Sequence, residues 1–504
     1  MADELNWLSA ADLVAGYGKK SFSPVDVLKA CLVQIARHDK AINAMCLVDE
    51  TSAMAQAKAS EARWQKSAPF GPVDGVPALI KDLILVKGWP TLRGSKTVSR
   101  NQAWDQDGPA VARLREAGAV LPGLTTTPEF GWKGVTDSPL TGITRNPWDL
   151  TKTPGGSSGG SSAALAAGYA PLALGTDGGG SIRIPAGFSG IFGLKPSFGR
   201  VPAWPLSPFG TVAHTGPMTR SVADAALMLD VIAKPDARDW HSLPPESRDY
   251  RDGLGGGIKG LRIAYSPDLG YAEVDPDIAA LVASAVDVLR DLGATVEEAD
   301  PGFADPAPLF RTIWWSGARA LLGKLPEEKL ALLDPGLADV VRQSRSITLE
   351  DHFEATKARG ALGTHMRLFM ERYDLLVTPT LPIPAFEAGR LSPADNDGTG
   401  KWVNWTPFSF PFNLTQQPAS SVPCGFTKAG LPAGLHIVGR MFDDATVLRA
   451  SYAYEQATEW HKARPPLQKD ASFGAAIRAI VEPLGGIRLD IPPRGPGRDP
   501  PKFD

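Results

Sequence analysis

Apolar residues recur at helical intervals early in the chain. Val25, Leu28, Leu32, Ile35 and Ala36 follow that spacing, and Ser23 followed by Pro24 supplies a helix start. Residues 9–65 therefore read as a mostly helical layer. Between Val73 and Val86 the pattern changes to a short apolar run preceded by Gly75 and Pro77, which predicts a turn into a buried strand carrying Lys81. Residues 109–118 read as a helix through Val111, Leu114 and Ala117, stopped at Gly118, and 119–124 as a strand. The alternation continues with a helix at 161–168, strands at 171–175 and 261–265, an amphipathic helix at 278–292, a strand at 434–439 and a helix at 444–460. Such a rhythm builds parallel sheet covered by helices, so the chain reads as α/β. The stretch 234–259, rich in Pro, Gly, Asp and Arg, reads as a long surface connection. Beyond Ala463 the chain becomes Pro-rich, with one short helix at 475–480 and a disordered end at 492–504.

Composition narrows the class. With 504 residues, 43% hydrophobic and 21% charged, the chain has the balance of a folded, water-soluble protein with a large core. The net charge of -3 is spread without a long basic or acidic run, which argues against a nucleic-acid partner. Cys31, Cys46 and Cys424 are odd in number and unclustered, so neither a disulfide framework nor a metal site is expected, and a reducing compartment fits. Met1 to Trp7 is polar, and no apolar run approaches the length of a membrane span. The expected location is the cytoplasm, away from membranes.

The most unusual stretches are TPGGSSGGSS at 153–162 and GTDGGGSIRIP at 175–185. A flexible linker is the plain reading of Gly and Ser, but these stretches lie inside the α/β rhythm, against an apolar helix and a strand. Gly155, Ser157 and Gly159 match the G-x-S-x-G nucleophile elbow, yet the polar, proline-broken 145–154 segment is not the strand an elbow needs. A phosphate loop lacks its closing Gly-Lys-Ser or Gly-Lys-Thr. Gly255, Gly257 and Gly260 spell G-x-G-x-x-G but precede a strand instead of following one. Taken together, the two stretches suit one site: Gly178 to Gly180 leave backbone N–H groups uncovered beside Ser181, as an oxyanion hole requires. No histidine falls within either stretch to serve as base, and only His214 is near in sequence.

The runs GGSSGG at 155–160 and GTDGGGSIRIPA at 175–186, with GVPALIKD at 75–82 upstream, resemble the amidase signature family. The likeness extends over residues 5–462 and includes PFNLTQQPAS at 411–420 and GLPAGLHIVGR at 430–440. It implies a large mixed twisted β-sheet flanked by α-helices on both sides. A single amidase domain would cover residues 1–468, with an N-terminal helical layer at 1–65, a signature core at 66–230 and a variable helical substrate region at 260–375. A Pro-rich, poorly ordered tail would follow at 469–504.

The resemblance also assigns chemistry. Ser181 is the expected nucleophile, Ser157 the relay, held in the family in a cis peptide, and Lys81 the base. A serine hydroxyl needs a positioned proton acceptor, and a lysine can accept only when neutral. The apolar neighbours Ala78, Leu79, Ile80, Leu83 and Ile84 would favour that state by desolvation. The oxyanion hole is expected from the N–H groups of Gly178, Gly179, Gly180 and Ser181, with Ser158, Asp177 and Arg183 shaping the site without reacting. No metal or organic cofactor is called for. Gly131 and Trp132 fall where the family places a loop beside the scissile bond, and the family's G-K-T-N pattern appears here as Gly123, Leu124, Thr125 and Thr126. Trp314, Trp315, Trp402 and Trp405 lie outside the family motifs and suggest an aromatic pocket, with Trp315 and Trp405 taken as walls beside Gly131 and Trp132.

The expected activity is hydrolysis of an amide, anilide or carbamate through an acyl-enzyme, on a small, neutral, partly aromatic molecule, with esterase or urethanase side activity. The expected assembly is a monomer or homodimer. A glutaminase subunit of an amidotransferase and a noncatalytic binding protein on the same scaffold are the competing readings.

Overall fold

The computed structural model describes residues 2–393 and 401–467. Met1–Pro465 forms one compact unit. The helix expected at 475–480 and the tail expected at 469–504 lie outside the described residues.

Among the described residues eleven strands join in one sheet. In chain order they are β1 (Met45–Val48), β2 (Ala78–Lys81), β3 (Gly123–Thr125), β4 (Leu172–Asp177), β5 (Phe192–Lys195), β6 (His214–Thr219), β7 (Arg262–Tyr265), β8 (Thr295–Glu298), β9 (Leu375–Pro379), β10 (Ala419–Phe426) and β11 (Pro432–Gly439). Their spatial order is β1-β3-β2-β4-β6-β5-β10-β11-β9-β7-β8. β3, β2 and β4 run parallel, as do β9, β7 and β8, while the other neighbours are antiparallel. Helices cover both faces of this mixed sheet. Leu375, Val377, Leu435 and Ile437 belong to one apolar cluster, and Leu376 and Val438, each adjacent to at least one of them along its strand, to another, because successive side chains of a strand point to opposite faces. The first cluster holds helices Val222–Ile232, Pro276–Asp291 and Asp444–Ala457. The second is aromatic and includes helices Ala307–Leu322, Pro335–Gln343 and Leu349–Phe369.

The helix after Ser23 begins where the sequence indicates. Ser23 caps Pro24–Ile42 in a reciprocal capping box with Asp26, Ser9 caps Ala10–Gly18 and Asp49 caps Glu50–Gln65. The layer is not purely helical. Asn43, in the left-handed region at φ 57°, ends the second helix, and Met45–Val48 becomes an edge strand paired antiparallel with β3. Four residues between two helices are too few to show strand alternation. The strand expected at 119–124 is confined to Gly123–Thr125, with Val120 making only an isolated bridge to Pro77. The 234–259 connection carries a single short 3-10 turn, Leu254–Gly256, and is anchored by the buried side chains of Tyr250, Leu254 and Ile258.

Candidate active site

The glycine and serine segment is not a linker, since every residue from 153 to 170 is buried. Its first part is a loop and its second part opens the helix Gly159–Ala166, packed between the sheet and the helix Arg183–Ser189. Lys81 ends β2 and Thr176 and Asp177 end β4, its parallel neighbour, so the site sits at the carboxyl ends of parallel strands, where α/β proteins open clefts.

Lys81 is fully buried, and its Nζ donates to three hydroxyls: Ser157 Oγ at 2.7 Å, Ser158 Oγ at 2.8 Å and Thr176 Oγ1 at 2.9 Å. Burial pushes its pKa well below the ordinary lysine value, and the Asp177 carboxylate opposes that shift without cancelling it. Hydroxyls both donate and accept, so this cage suits the neutral amine as well as the ammonium. The Gly156–Ser157 peptide is cis. Gly131, at φ 70°, lies so close to Ser157 that a Cβ there would stand 3.2 Å from the serine Oγ.

Ser181 follows the three glycines, 4% exposed, and its carbonyl accepts the Ser158 N–H at 3.1 Å. The loop is shaped by Asp177. One carboxylate oxygen accepts the Gly180 N–H at 2.7 Å, the other the Ile182 N–H at 3.2 Å, and Arg183 binds both through Nε and Nη2 at 3.0 Å. Burial pushes the Asp177 carboxyl up, but Arg183, Lys195 and Asn413 outweigh it and hold the group well below the usual carboxylate range. Asn413 closes the network, accepting from Arg183 at 2.6 Å and donating to the Asp177 side chain at 2.8 Å.

This geometry corrects one expectation. The Gly180 N–H is occupied by Asp177 and is not available to an oxyanion. Among the described residues, no acceptor takes the N–H of Gly178, Gly179 or Ser181. Aromatic side chains support the loop from beneath. A Cβ on Gly178 would meet Trp314 at 2.8 Å, and one on Gly179 would meet Phe310 at 2.7 Å.

A cavity of about 150 Å³ opens over these residues, with Ser157, Thr176, Gly178 and Ser181 at one side and Leu83, Ile84, Phe130, Gly131, Phe209 and Trp314 among its apolar walls. Gly131 lines this cavity, but Trp132, Trp315 and Trp405, expected as pocket walls, are not among the described residues that line it. Trp132 packs its ring against Gly336 and lends only its carbonyl to Trp314 Nε1, at 3.0 Å. Trp405 stacks on Phe188 with centroids 5.9 Å apart, and Trp315 is half-buried at the margin of the aromatic cluster. Tertiary packing, not aromatic character, selects Trp314 and its stacking partner Phe209, whose centroids are 3.8 Å apart.

His214 is in the wall, yet its nitrogens are engaged elsewhere, Nδ1 with the Val212 carbonyl at 2.8 Å and Nε2 with Lys195 Nζ at 3.4 Å. Burial, then Lys195, lower its pKa well below the ordinary value and keep the ring neutral. The loop carrying Gly131 is fixed by a buried network in which Lys133 bridges Asp137 at 2.6 Å and Asp334 at 2.8 Å, while Glu129 accepts from Ser95 at 2.6 Å and from the Asp334 N–H.

Thr176, Asn413, Arg93 and the wall segment 202–209 were not singled out from the sequence. Thr176 and Asn413 lie within the quoted motifs, and strand alternation past Asp177 points to neither partner. The Pro-rich 202–209 segment carries no sequence signal for a cavity wall.

The Amidase family model matches residues 26–448. An acylamidase of Rhodococcus erythropolis is 38% identical over 92% of this chain and 98% of its own length. A glutamyl-tRNA(Gln) amidotransferase subunit from Chloroflexus aurantiacus is 36% identical over 92% of this chain and 99% of its own. Among solved structures, a bacterial aryl acylamidase of the amidase signature family superposes with a TM-score of 0.84 at 31% identity, covering 92% of this chain and 99% of that one. The 6-aminohexanoate cyclic dimer hydrolase complexed with substrate gives 0.84 at 30% identity, with the same two coverages of 92% and 99%. The chain belongs to the amidase signature family, whose fold it shares.

Proposed function

We propose that the chain hydrolyses a carbon–nitrogen bond of amide type, in an amide, anilide or carbamate, through an acyl-enzyme on Ser181. The observation that carries this reading is the buried Lys81 amine 2.7 Å from Ser157 Oγ, beneath a cavity lined by both Ser157 and Ser181. Neutral Lys81 takes the Ser157 proton as Ser157 takes that of Ser181, and the Ser181 oxygen attacks the substrate carbonyl. The N–H groups of Gly178, Gly179 and Ser181 stabilise the oxyanion. The relay then returns the proton to the leaving nitrogen, and water, activated by the same route, releases the acid. The apolar and aromatic walls favour substrates that are apolar around the reacting bond.

A fluorophosphonate probe, with the adduct located by peptide mass spectrometry, tests the assignment. The adduct is expected on Ser181 and is lost in Ser181→Ala, while Ser157→Ala and Lys81→Ala each collapse turnover and His214→Ala does not abolish it. An adduct on Ser157 sinks the assignment.

A second reading, a glutaminase subunit passing ammonia to a partner, draws on the amidotransferase relative. The cavity weighs against it: no Asp or Glu is among the described residues that line it, so the ammonium of glutamine would meet no counter-ion. Hydrolysis of acyl anilides by the purified chain alone separates the two readings.

A further inference from the structure

One charged residue in the cavity wall has no task in the hydrolysis. Arg93 lines the cavity that Ser157 and Ser181 share, and also an adjoining cavity of about 340 Å³; Trp204 likewise lines both. Its guanidinium is half-buried and, among the described residues, makes no hydrogen bond or ion pair, only a longer-range attraction to Asp82. Asp82 is itself pushed up to about 7 by burial, so it offsets the arginine charge incompletely at neutral pH.

The backbone holds Arg93 in place at a conformational cost. Its φ of 57° is in the left-handed region, uncommon for a residue with a Cβ. Its carbonyl accepts the N–H of the wall residue Phe130 at 2.8 Å, and the next residue, Gly94, donates to Asp82 Oδ2 at 3.0 Å, directly after Lys81 in the chain. Arg93 is thus fixed relative to the catalytic strand. The other titratable wall group, His214, is kept neutral by burial, and Asp105 lines only the adjoining cavity, without reaching ion-pair distance. The catalytic cavity therefore carries one uncompensated positive group at its boundary with the second cavity.

We propose that Arg93 binds a carboxylate at the end of the substrate remote from the scissile bond, so that the preferred substrate is an amide whose apolar body ends in an acid group. A planar guanidinium matches a carboxylate in two parallel hydrogen bonds and stays protonated, so the pairing persists across the working pH range. This rests on the hydrolase reading of the same site, and it replaces the fully neutral substrate expected from the sequence with one that is anionic at its far end.

The test compares 4-acetamidobenzoate with 4-methylacetanilide, which share the acetanilide core and differ in the remote acid group. The ratio of kcat/KM values is expected to favour the acid by roughly 10- to 100-fold. In Arg93→Gln the ratio falls toward unity, and in Arg93→Lys, which keeps the charge but loses the fork, it is partly retained. Arg93→Gly, which removes the conformational cost, gives the same loss if Arg93→Gln folds poorly. An unchanged ratio in Arg93→Gln or Arg93→Gly overturns the proposal. Calorimetric titration of Ser181→Ala with 4-acetamidobenzoate adds a readout free of turnover. Binding that disappears when Arg93→Gln is added supports the carboxylate site, and equal binding, or none in either chain, overturns it. Binding retained without hydrolysis of either probe by the unmodified chain counts against the hydrolase reading alone.

Discussion

Among the described residues Lys81 has no carboxylate within hydrogen-bond reach, only hydroxyls and buried apolar surface. Its folded-state pKa lies below the unfolded value, so between the two the unfolded chain binds the extra proton and the native state gains stability as pH rises. Lys81→Met removes this dependence. Urea unfolding across a pH series is expected to show the variant's stability relative to wild type declining as pH rises toward the ordinary lysine range, and a flat difference contradicts a lowered pKa. In the same variant kcat is expected to fall by about 10²- to 10⁴-fold, the usual scale of a lost general base. Thus the group proposed as the base also costs the fold stability at neutral pH. Asp177 and Arg183 are the opposite case: fully buried, doubly bonded to each other and to Asn413, they fix the loop's shape.

At the scale of elements, the glycine loop between β4 and the helix Arg183–Ser189 rests on aromatic side chains from Ala307–Leu322. A methyl group on Gly179 would overlap Phe310 at 2.7 Å, and relieving it moves either the ring or the donor N–H groups. Gly179→Ala is therefore expected to cost about 1–3 kcal/mol in unfolding free energy and to lower kcat by an order of magnitude or more, with KM changed less. Stopped assays and denaturant titration on one preparation check both; wild-type kcat in the alanine variant would show that the Phe310 ring yields and the donor N–H groups stay in place. Gly180 contributes differently, through its φ of 122° and its bond to Asp177, so it shapes the loop without facing the substrate.

Across the whole molecule, the loop carrying Gly131, which packs beside Ser157, is joined to a segment distant in the chain, where Lys133 meets Asp334, 201 residues later and the cap of helix Pro335–Gln343. Burial alone would lower the Lys133 pKa, but Asp137 and Asp334 together raise it above the ordinary value. Lys133→Met leaves Glu129, Asp137 and Asp334 without their shared cation. A loss of about 3 kcal/mol is expected at neutral pH, because removing one partner of a buried pair strands the other. The wild-type advantage is complete below the ordinary lysine value and disappears as pH rises through the raised folded value; thermal unfolding at several pH values measures it. Equal stability of the two chains at pH 7 would show that the tie contributes nothing.

Among the described residues no helix is long and apolar enough to cross a membrane. Much of the architecture was legible in the local pattern. Apolar spacing and the Ser23–Pro24 start marked the first helical layer, and the apolar residues within 73–86 and 171–175 marked the strands found at 78–81 and 172–177, because strands buried on both faces need them. Strands such as His214–Thr219 and Ala419–Phe426, interrupted by Gly and Pro, had no such pattern, since their pairing depends on neighbours distant in sequence. The motif order likewise determined which serines and which lysine to consider, and the apolar setting of Lys81 followed from its adjacent residues. Only the tertiary structure decided that the Gly180 N–H is taken by Asp177, that Trp314 and not Trp132, Trp315 or Trp405 faces the cavity, and that Arg93 stands in its wall without an ion-pair partner among the described residues. Residue type and spacing specify local backbone and burial, whereas the direction of a donor and the exposure of one face of a ring are set by what packs against them from elsewhere in the chain.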